Sequence, residues 1–295
     1  MGYSMSTIEI THFTDPGCPW AYSASPALAV LHWRYGTQLS WRLVTIGLTE
    51  SAEQYTSRGY TPVRAAHGYM RFRRFGMPFA TAPRARITAT ARMCRTIVAT
   101  RLLDPEREYA VFRALQFAQF TSTLVLDDAR DIATALERVS GLDVEAIVGA
   151  LDDEQVSTAY EADRALSRTA AGAPTEFQGK SAQSDGPVRY TAPSLIMRAG
   201  ERTLEGGGFQ PVEAYDVLIA NLDPTLEREP PPESPLDALQ RFPEGLVTQE
   251  VAAIMTRGND APDRVATESA LVELVGEGSA RRVALGDDAL WLASS

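Results

Sequence analysis

Phe13-Thr14-Asp15-Pro16-Gly17-Cys18-Pro19-Trp20-Ala21-Tyr22 is the stretch from which the rest of the chain can be read. It follows an apolar, β-branched run (Ile8, Ile10, Phe13) and precedes an apolar-periodic run (Ala27, Leu28, Val30, Leu31). The first pattern predicts a strand and the second a helix. Cys18 therefore sits where a strand turns into a helix, with Pro19 suited to the first helical turn because its missing N–H is not needed there. Free N–H groups and partial positive charge at a helix start favour a thiolate. A cysteine so placed is expected to have its pKa lowered from about 8.5 to roughly 3.5–7.5. The second cysteine usual three positions on is absent, since position 21 is Ala.

Working outward, residues 7–14 predict a strand, Pro19 to Tyr35 a helix and Leu39 to Ile46 a second strand. That order makes a βαβ unit with a parallel pair. From Ser51 onward helical spacing takes over, in Arg84–Leu103, Glu106–Phe120, Asp128–Ser140, Val144–Leu151 and Asp153–Arg168. Strand signals return at Val188–Met197 and Arg202–Leu204; Gly206-Gly207-Gly208 reads as a turn and Pro211–Leu222 as a helix. The expected division is a domain of residues 7–50 and 181–222, an inserted helical domain of 51–180, and a proline-rich linker of 223–235. A C-terminal module of 236–295 follows. Its predicted order, three helices (Leu236–Phe242, Thr248–Met255, Arg264–Gly276) and a hairpin, is that of a winged helix.

The chain has 295 residues, a net charge of −10 and two cysteines, Cys18 and Cys94. An acidic chain disfavours general binding to nucleic acid or anionic membranes. Two cysteines make no disulfide framework. With no apolar run near the ~20 residues that span a bilayer and no leader pattern, a cytoplasmic protein is expected. His12, His32 and His67 lack metal-ligand spacing, and Gly206-Gly207-Gly208 lacks the Lys-Ser/Thr of a phosphate loop. The winged-helix-like tail from Asp237 holds five Arg against ten acidic residues, the wrong balance for nucleic acid. Docking onto its own domain or onto a partner in a homodimer is expected instead.

Pro193, in Tyr190-Thr191-Ala192-Pro193-Ser194, interrupts a strand pattern, which marks an edge or bulge or a cis peptide. Together, Asp15-Pro16-Gly17-Cys18-Pro19-Trp20 after the first strand, Ala192-Pro193-Ser194 after a helical insertion, and the element order resemble the DsbA-like branch of the thioredoxin fold. That branch includes cytoplasmic dithiol oxidoreductases, 2-hydroxychromene-2-carboxylate isomerases and kappa-class glutathione transferases. The resemblance covers Ile8 to Leu222. It implies an α/β thioredoxin-like fold with a large helical insertion, Cys18 as nucleophile, and a cis Pro193 beside it. It also implies that Pro19, Trp20, Ala192 and Pro193 contact a thiol or disulfide substrate, protein or small molecule, with no metal and no bound cofactor.

Ala21 departs from that pattern, because attack by Cys18 on a disulfide then ends in a mixed disulfide that the chain cannot resolve internally. A small thiol such as glutathione or mycothiol would resolve it as co-substrate. Alternatively, Cys18 stands where the isomerases and transferases carry serine and orients a bound thiol, or the motif is a relic in a non-catalytic binding protein. Cys94, among apolar residues of a helical segment, reads as core. Between Gln54 and Leu103 the chain has ten Arg and no Asp or Glu. This predicts either a basic wall facing the active-site groove and attracting a carboxylate-bearing thiol or substrate, or a solvated face paired with acidic neighbours such as Glu106, Glu108, Asp127 or Asp128. Phe75-Gly76-Met77-Pro78-Phe79 resembles the apolar lip of relatives.

Overall fold

A computed structural model describes residues 7–184 and 186–294. Strand β1 (Ile8–Thr14) leads through the Asp15–Cys18 turn into helices α1 (Pro19–Ser23) and α2 (Ser25–Tyr35), then strand β2 (Leu39–Thr45). The predicted single helix is thus two. Pro26 has no N–H to continue the ladder to Tyr22, so the backbone restarts at Ala24, whose carbonyl takes Ala27 and Leu28. β1 and β2 run parallel, in register from Ile8–Leu39 to Thr14–Thr45.

Between β2 and the next strand lie helices α3 (Glu53–Thr56), α4 (Pro62–Phe72), α5 (Ala91–Leu103), α6 (Glu108–Thr121), α7 (Ala129–Leu136), α8 (Val144–Gly149), α9 (Glu154–Ser167) and α10 (Pro174–Phe177). Their apolar faces close on one core that includes Ile97, Phe112, Leu115, Leu136 and Tyr160. The helix expected from Arg84 begins only at Ala91. The preceding residues run as a loop tied down by Arg84, whose guanidinium donates to the carbonyls of Leu124 (2.8 Å), Ser122 (3.2 Å) and Gln119.

The return to strand is also in two pieces. β3 (Ser181–Ala182) pairs with β4 (Arg189–Tyr190) in a separate ribbon, and β5 (Ser194–Ala199) joins the main sheet beside β6 (Arg202–Gly207). The main order is β2-β1-β5-β6, with β5 antiparallel to both its neighbours. Gly206 and Gly207 lie in β6 rather than in the predicted turn. A Cβ at Gly207 would sit 2.5 Å from Thr175 Cγ2, so the strand can approach α10 only without one. The turn starts at Gly208, with φ of 72°. Helix α11 (Val212–Leu222) then packs with α2 on Ile8, Ile10, Leu195 and Met197.

After the proline-rich stretch come α12 (Pro235–Arg241), β7 (Leu246–Val247), α13 (Thr248–Met255), α14 (Arg264–Gly276), β8 (Ala280–Leu285) and β9 (Asp288–Ala293). β7, unpredicted because two residues carry no period, pairs with β9 to give the order β7-β9-β8. The face formed by Ala29, Val30 and Trp33 of α2 is covered by Phe242, Val251, Ile254 and Trp291. Each such large side chain stabilises the junction by roughly 1.5–3 kcal/mol when fully buried. The proline-rich stretch is pinned rather than free: Trp33 Nε1 donates to the Pro230 carbonyl at 2.8 Å, and Glu229 N to the Arg34 carbonyl at 2.8 Å. No helix among the described residues is long and apolar enough to cross a membrane.

Candidate active site

The turn that carries Cys18 is built around Asp15. Its carbonyl accepts the Cys18 N–H at 3.0 Å, closing the turn. Its carboxylate accepts Gly17 N (2.8 Å), Leu48 N (2.8 Å) and Thr90 Oγ1 (3.0 Å), with the Cys94 thiol at 3.6 Å. Asp15 is fully buried, and burial pushes its carboxyl up despite these donors. Gly17 is required by close approach, since a Cβ there would lie 2.5 Å from Thr90 Cγ2. Thus β1, the loop after β2 and the start of α5 meet under the turn.

Cys18 is the residue before the first turn of α1, with Pro19 in that turn. Pro19 has no N–H, so the free N–H groups of the turn that favour a thiolate are those of Trp20 and Ala21, although neither caps the sulfur with a hydrogen bond. From the other side the Ala192–Pro193 peptide, which is cis, comes up against the thiol. Cys18 Sγ donates to the Ala192 carbonyl at 3.2 Å. The structure therefore brings Cys18, Pro19, Trp20, Ala192 and Pro193 to one place.

The charge state differs from the sequence expectation of a lowered pKa. Cys18 is 7% exposed. Burial, reinforced by the negative Asp15, pushes its thiol up to about 11, against the opposing pull of the Ala21 and Trp20 N–H groups and the Arg189 guanidinium. Removing a thiolate from water costs more here than two peptide dipoles return. Cys94 is fully buried in the helical core, and its thiol is likewise pushed well up by burial.

Trp20 is 41% exposed and packs its ring at 4.9 Å from Phe72, 5.5 Å from Phe75 and 5.5 Å from Phe209. The Phe75–Phe79 stretch divides. Phe75 stands in this aromatic rim, whereas Met77 and Phe79 are buried with Tyr22 and Phe120. Beside Trp20 opens a cavity of about 360 Å³, reaching from Gly17 and Pro19 to Tyr69 and Arg84. Sequence reasoning missed Tyr55, which lines it. Burial, with the negative Asp15, pushes the Tyr55 hydroxyl up. Only the fold brings it there, since the four-residue α3 carries no periodic signal.

The arginines of the run stand in two settings, ion pairs and the cavity wall. Arg86 pairs with Asp127 at 2.5 Å and Arg101 with Glu108 at 2.7 Å, as a solvated, paired face requires. Arg64, Arg84 and Arg86 also line the cavity.

The family model of the DSBA-like thioredoxin domain matches residues 9–192. No curated protein matches. Among solved structures, a candidate protein disulfide isomerase from Nitrosomonas europaea is 17% identical with a TM-score of 0.55, over 73% of this chain and 97% of that one. The cytosolic disulfide reductase DsbM from Pseudomonas aeruginosa is 18% identical with a TM-score of 0.51, over 72% and 98%. Its structure with GSH has a TM-score of 0.50 at the same identity and coverage.

Proposed function

Because the chain belongs to the DSBA-like thioredoxin domain family, we propose that it is a thiol–disulfide oxidoreductase working through Cys18 alone, with a low-molecular-weight thiol such as glutathione or mycothiol as second reactant. The observation that carries this reading is the 3.2 Å contact of Cys18 Sγ with the Ala192 carbonyl, with Ala21 where a resolving thiol would stand. The thiolate attacks a substrate disulfide, forming the Cys18 mixed disulfide and releasing one thiolate. A small thiolate then attacks the substrate-derived sulfur of that mixed disulfide, regenerating Cys18 and leaving the retained half of the substrate as a mixed disulfide with the small thiol. A second small thiolate, attacking the small-thiol sulfur of that product, releases the substrate thiol and the small-thiol disulfide, which completes the two-electron reduction. DsbM, solved with GSH, supports glutathione as the first thiol to try.

The closed thiol fits this scheme as a resting form. A substrate backbone that pairs with Ala192 takes the carbonyl that now accepts the Cys18 proton. The sulfur is then left at the start of α1, where the Trp20 and Ala21 N–H groups favour the anion. Pro19, Trp20, Ala192 and Pro193 form the contact surface, and the substrate is a protein or small-molecule disulfide. The two free cysteines suit a reducing, cytoplasmic setting. Residues 236–295, in the order α12, β7, α13, α14, β8, β9, read as a winged-helix-like module. Its seat on α2 favours a docking role within the chain over nucleic-acid binding.

A second reading is favoured by the burial of Cys18, which pushes its thiol up to about 11 and keeps it neutral. A neutral S–H donor would orient the thiolate of a bound thiol in an isomerase or transferase of the 2-hydroxychromene-2-carboxylate or kappa type. Intact-mass analysis after incubation with glutathione disulfide and with mycothiol disulfide separates the two. One thiol adduct on Cys18, lost in Cys18→Ser and released by added thiol, is expected. Reversible binding without an adduct overturns the exchange reading in favour of the second.

A further inference from the structure

We propose that Asp287, in the β8–β9 turn of the C-terminal unit, is a positioning residue for the reaction at Cys18: it fixes residues 73–79 so that Phe75 stands against Trp20. The inference rests on the reading above for the use of Trp20 as a substrate contact.

Residues 76–79 belong to no helix or strand, so their order comes from side-chain ties. On the α1 side the Tyr22 hydroxyl donates to the Pro78 carbonyl at 3.0 Å. On the opposite side one carboxylate holds both ends of the segment. Asp287 Oδ1 accepts Phe79 N at 2.7 Å, and Oδ2 pairs with Arg73 Nε at 2.7 Å. Arg73 Nη2 in turn donates to the Phe79 carbonyl at 3.3 Å. The carboxylate reaches this far because β8 and β9 join through a two-residue turn, Gly286-Asp287, with Gly286 at a φ of 60°. A Cβ on Gly286 would lie 3.2 Å from the Phe79 carbonyl carbon. Gln249 of α13 covers the middle of the segment, where Gly76 has a φ of 85° and a Cβ would overlap the Gln249 amide. Beneath, Met77 and Phe79 share a core with Tyr22 and with Val247, Leu285 and Leu290 of the C-terminal unit.

Phe75 is the ring that this bracing presents to the reactive end. It lies 5.5 Å from Trp20 and 4.9 Å from Phe209, and Trp20 stands two residues after Cys18. The role of Asp287 is local. Both members of its ion pair are more than a third exposed, 39% and 37%, a setting in which a pair adds little to global stability. The unit is seated elsewhere, by the buried Arg113–Glu250 pair and by the core it shares with α2. Losing Asp287 therefore leaves the unit docked and frees the segment that carries Phe75.

The test is a double-mutant cycle in the full chain, read at Cys18 with Cys18→Ser as blank. 2,2′-Dithiodipyridine, an aromatic disulfide, takes the Cys18 thiolate into a mixed disulfide and releases pyridine-2-thione. Iodoacetamide, small and without a ring, reports the thiolate alone. Asp287→Ala and Phe75→Ala are each expected to slow the disulfide by roughly two- to tenfold, the worth of one aromatic contact, with the iodoacetamide rate unchanged. The double variant should be no slower than Phe75→Ala, because Asp287 acts through that ring, whereas independent sites add. Asp287→Asn keeps an acceptor for Phe79 N and should recover part of the loss. Trp20 fluorescence gives a readout that needs no exchange chemistry. Asp287→Ala should shift its emission to the red and ease its quenching by acrylamide. Neither change should occur in a Trp20→Phe background, nor in Asp152→Ala, which cuts an exposed ion pair with Arg92. Additive losses, no loss in either single variant, equal slowing of iodoacetamide, or an unmoved Trp20 overturns the proposal. If Asp287→Ala proves unfolded by circular dichroism, Arg73→Met, which cuts the same pair from the other side, takes its place in the cycle. Failure of the Cys18 adduct experiment leaves the Trp20 shift in place, and an unmoved Trp20 leaves the adduct in place, so the two failures are distinguishable.

Discussion

Arg113 of α6 and Glu250 of α13 form a two-point ion pair inside the protein, Nη1 to Oε1 at 2.6 Å and Nη2 to Oε2 at 2.9 Å. Glu250 is fully buried and Arg113 5% exposed. The carboxylate also accepts Val247 N at 2.9 Å and the hydroxyl of Ser25, the first residue of α2. One side chain of the C-terminal unit thus joins α6 of the helical insertion to the start of α2. Removing one member of a buried pair strands the other's charge, at a cost of about 3–5 kcal/mol. Glu250→Ala is therefore expected to lower stability by that amount in urea denaturation and to open the α2–α13 junction to proteolysis. The double variant Arg113→Met, Glu250→Leu should lose much less, because it leaves no unpaired charge.

Acid should weaken the fold through two histidines. His12 is held down to about 3 by burial and by His32, and His32 to about 4 by burial and by Arg113. An unfolded histidine takes up its proton near pH 6.5. The folded chain refuses that proton, so this contribution to stability is complete above pH 6.5 and is lost as the pH falls toward 4. At pH 5 the loss is about 2 kcal/mol for each histidine. Asp15, whose folded carboxyl is raised, acts in the opposite sense. Denaturation of parent and His12→Gln between pH 7 and pH 5 isolates the histidine share. The variant's stability should fall by less over that interval.

Cys18 in the substrate-free protein should alkylate slowly at neutral pH. A thiol near 11 is ionised in only about one molecule in 10⁴ at pH 7. Its iodoacetamide rate should keep climbing beyond pH 9. Asp15→Asn removes the negative charge that helps hold the thiol up, so the apparent pKa should fall and the neutral-pH rate rise several-fold. The same change gives one of the amide hydrogens to a pocket of donors, Leu48 N and Thr90 Oγ1, and should cost about 1–3 kcal/mol. A rate profile unchanged by the substitution would mean that Asp15 does not control the sulfur.

Elements with a long period were legible in the sequence, and so was the order in which they come. β1, β2, α6 and α9 fall within a few residues of their predicted bounds, because seven or more residues of alternating or helical spacing leave little choice. Cys18 and the Ala192-Pro193 pair could be placed because Pro and Gly punctuate the chain around them. What could not be read depends on contacts distant in sequence. The pKa of Cys18 follows from burial by β4 and the Ala192–Pro193 segment. Gly207 is a strand residue only because α10 passes close to it. Tyr55, Tyr69 and Arg84 belong to separate stretches that meet at the cavity only after the helical insertion folds. The break at Ala24, by contrast, is legible in Pro26, whose missing N–H is incompatible with a continuous helix from Pro19 to Tyr35.

Supplying the missing thiol offers the sharpest check on single-cysteine chemistry. Ala21 is 2% exposed and stands three residues after Cys18, so a side chain there lies about one helical turn from Cys18 and on its face. Ala21→Cys adds one sulfur atom to a buried position, for which overpacking costs about 1–3 kcal/mol. The variant is expected to form an internal disulfide between Cys18 and the introduced thiol under mild oxidation, seen as the loss of two hydrogens in intact mass and the disappearance of free thiol at Cys18. Attack by the new thiol on the Cys18 mixed disulfide should release glutathione without an added thiol. The parent should accumulate the glutathione adduct under the same conditions and the variant should not. If both accumulate it equally, position 21 does not reach the sulfur, and resolution in this protein must be sought elsewhere than along α1.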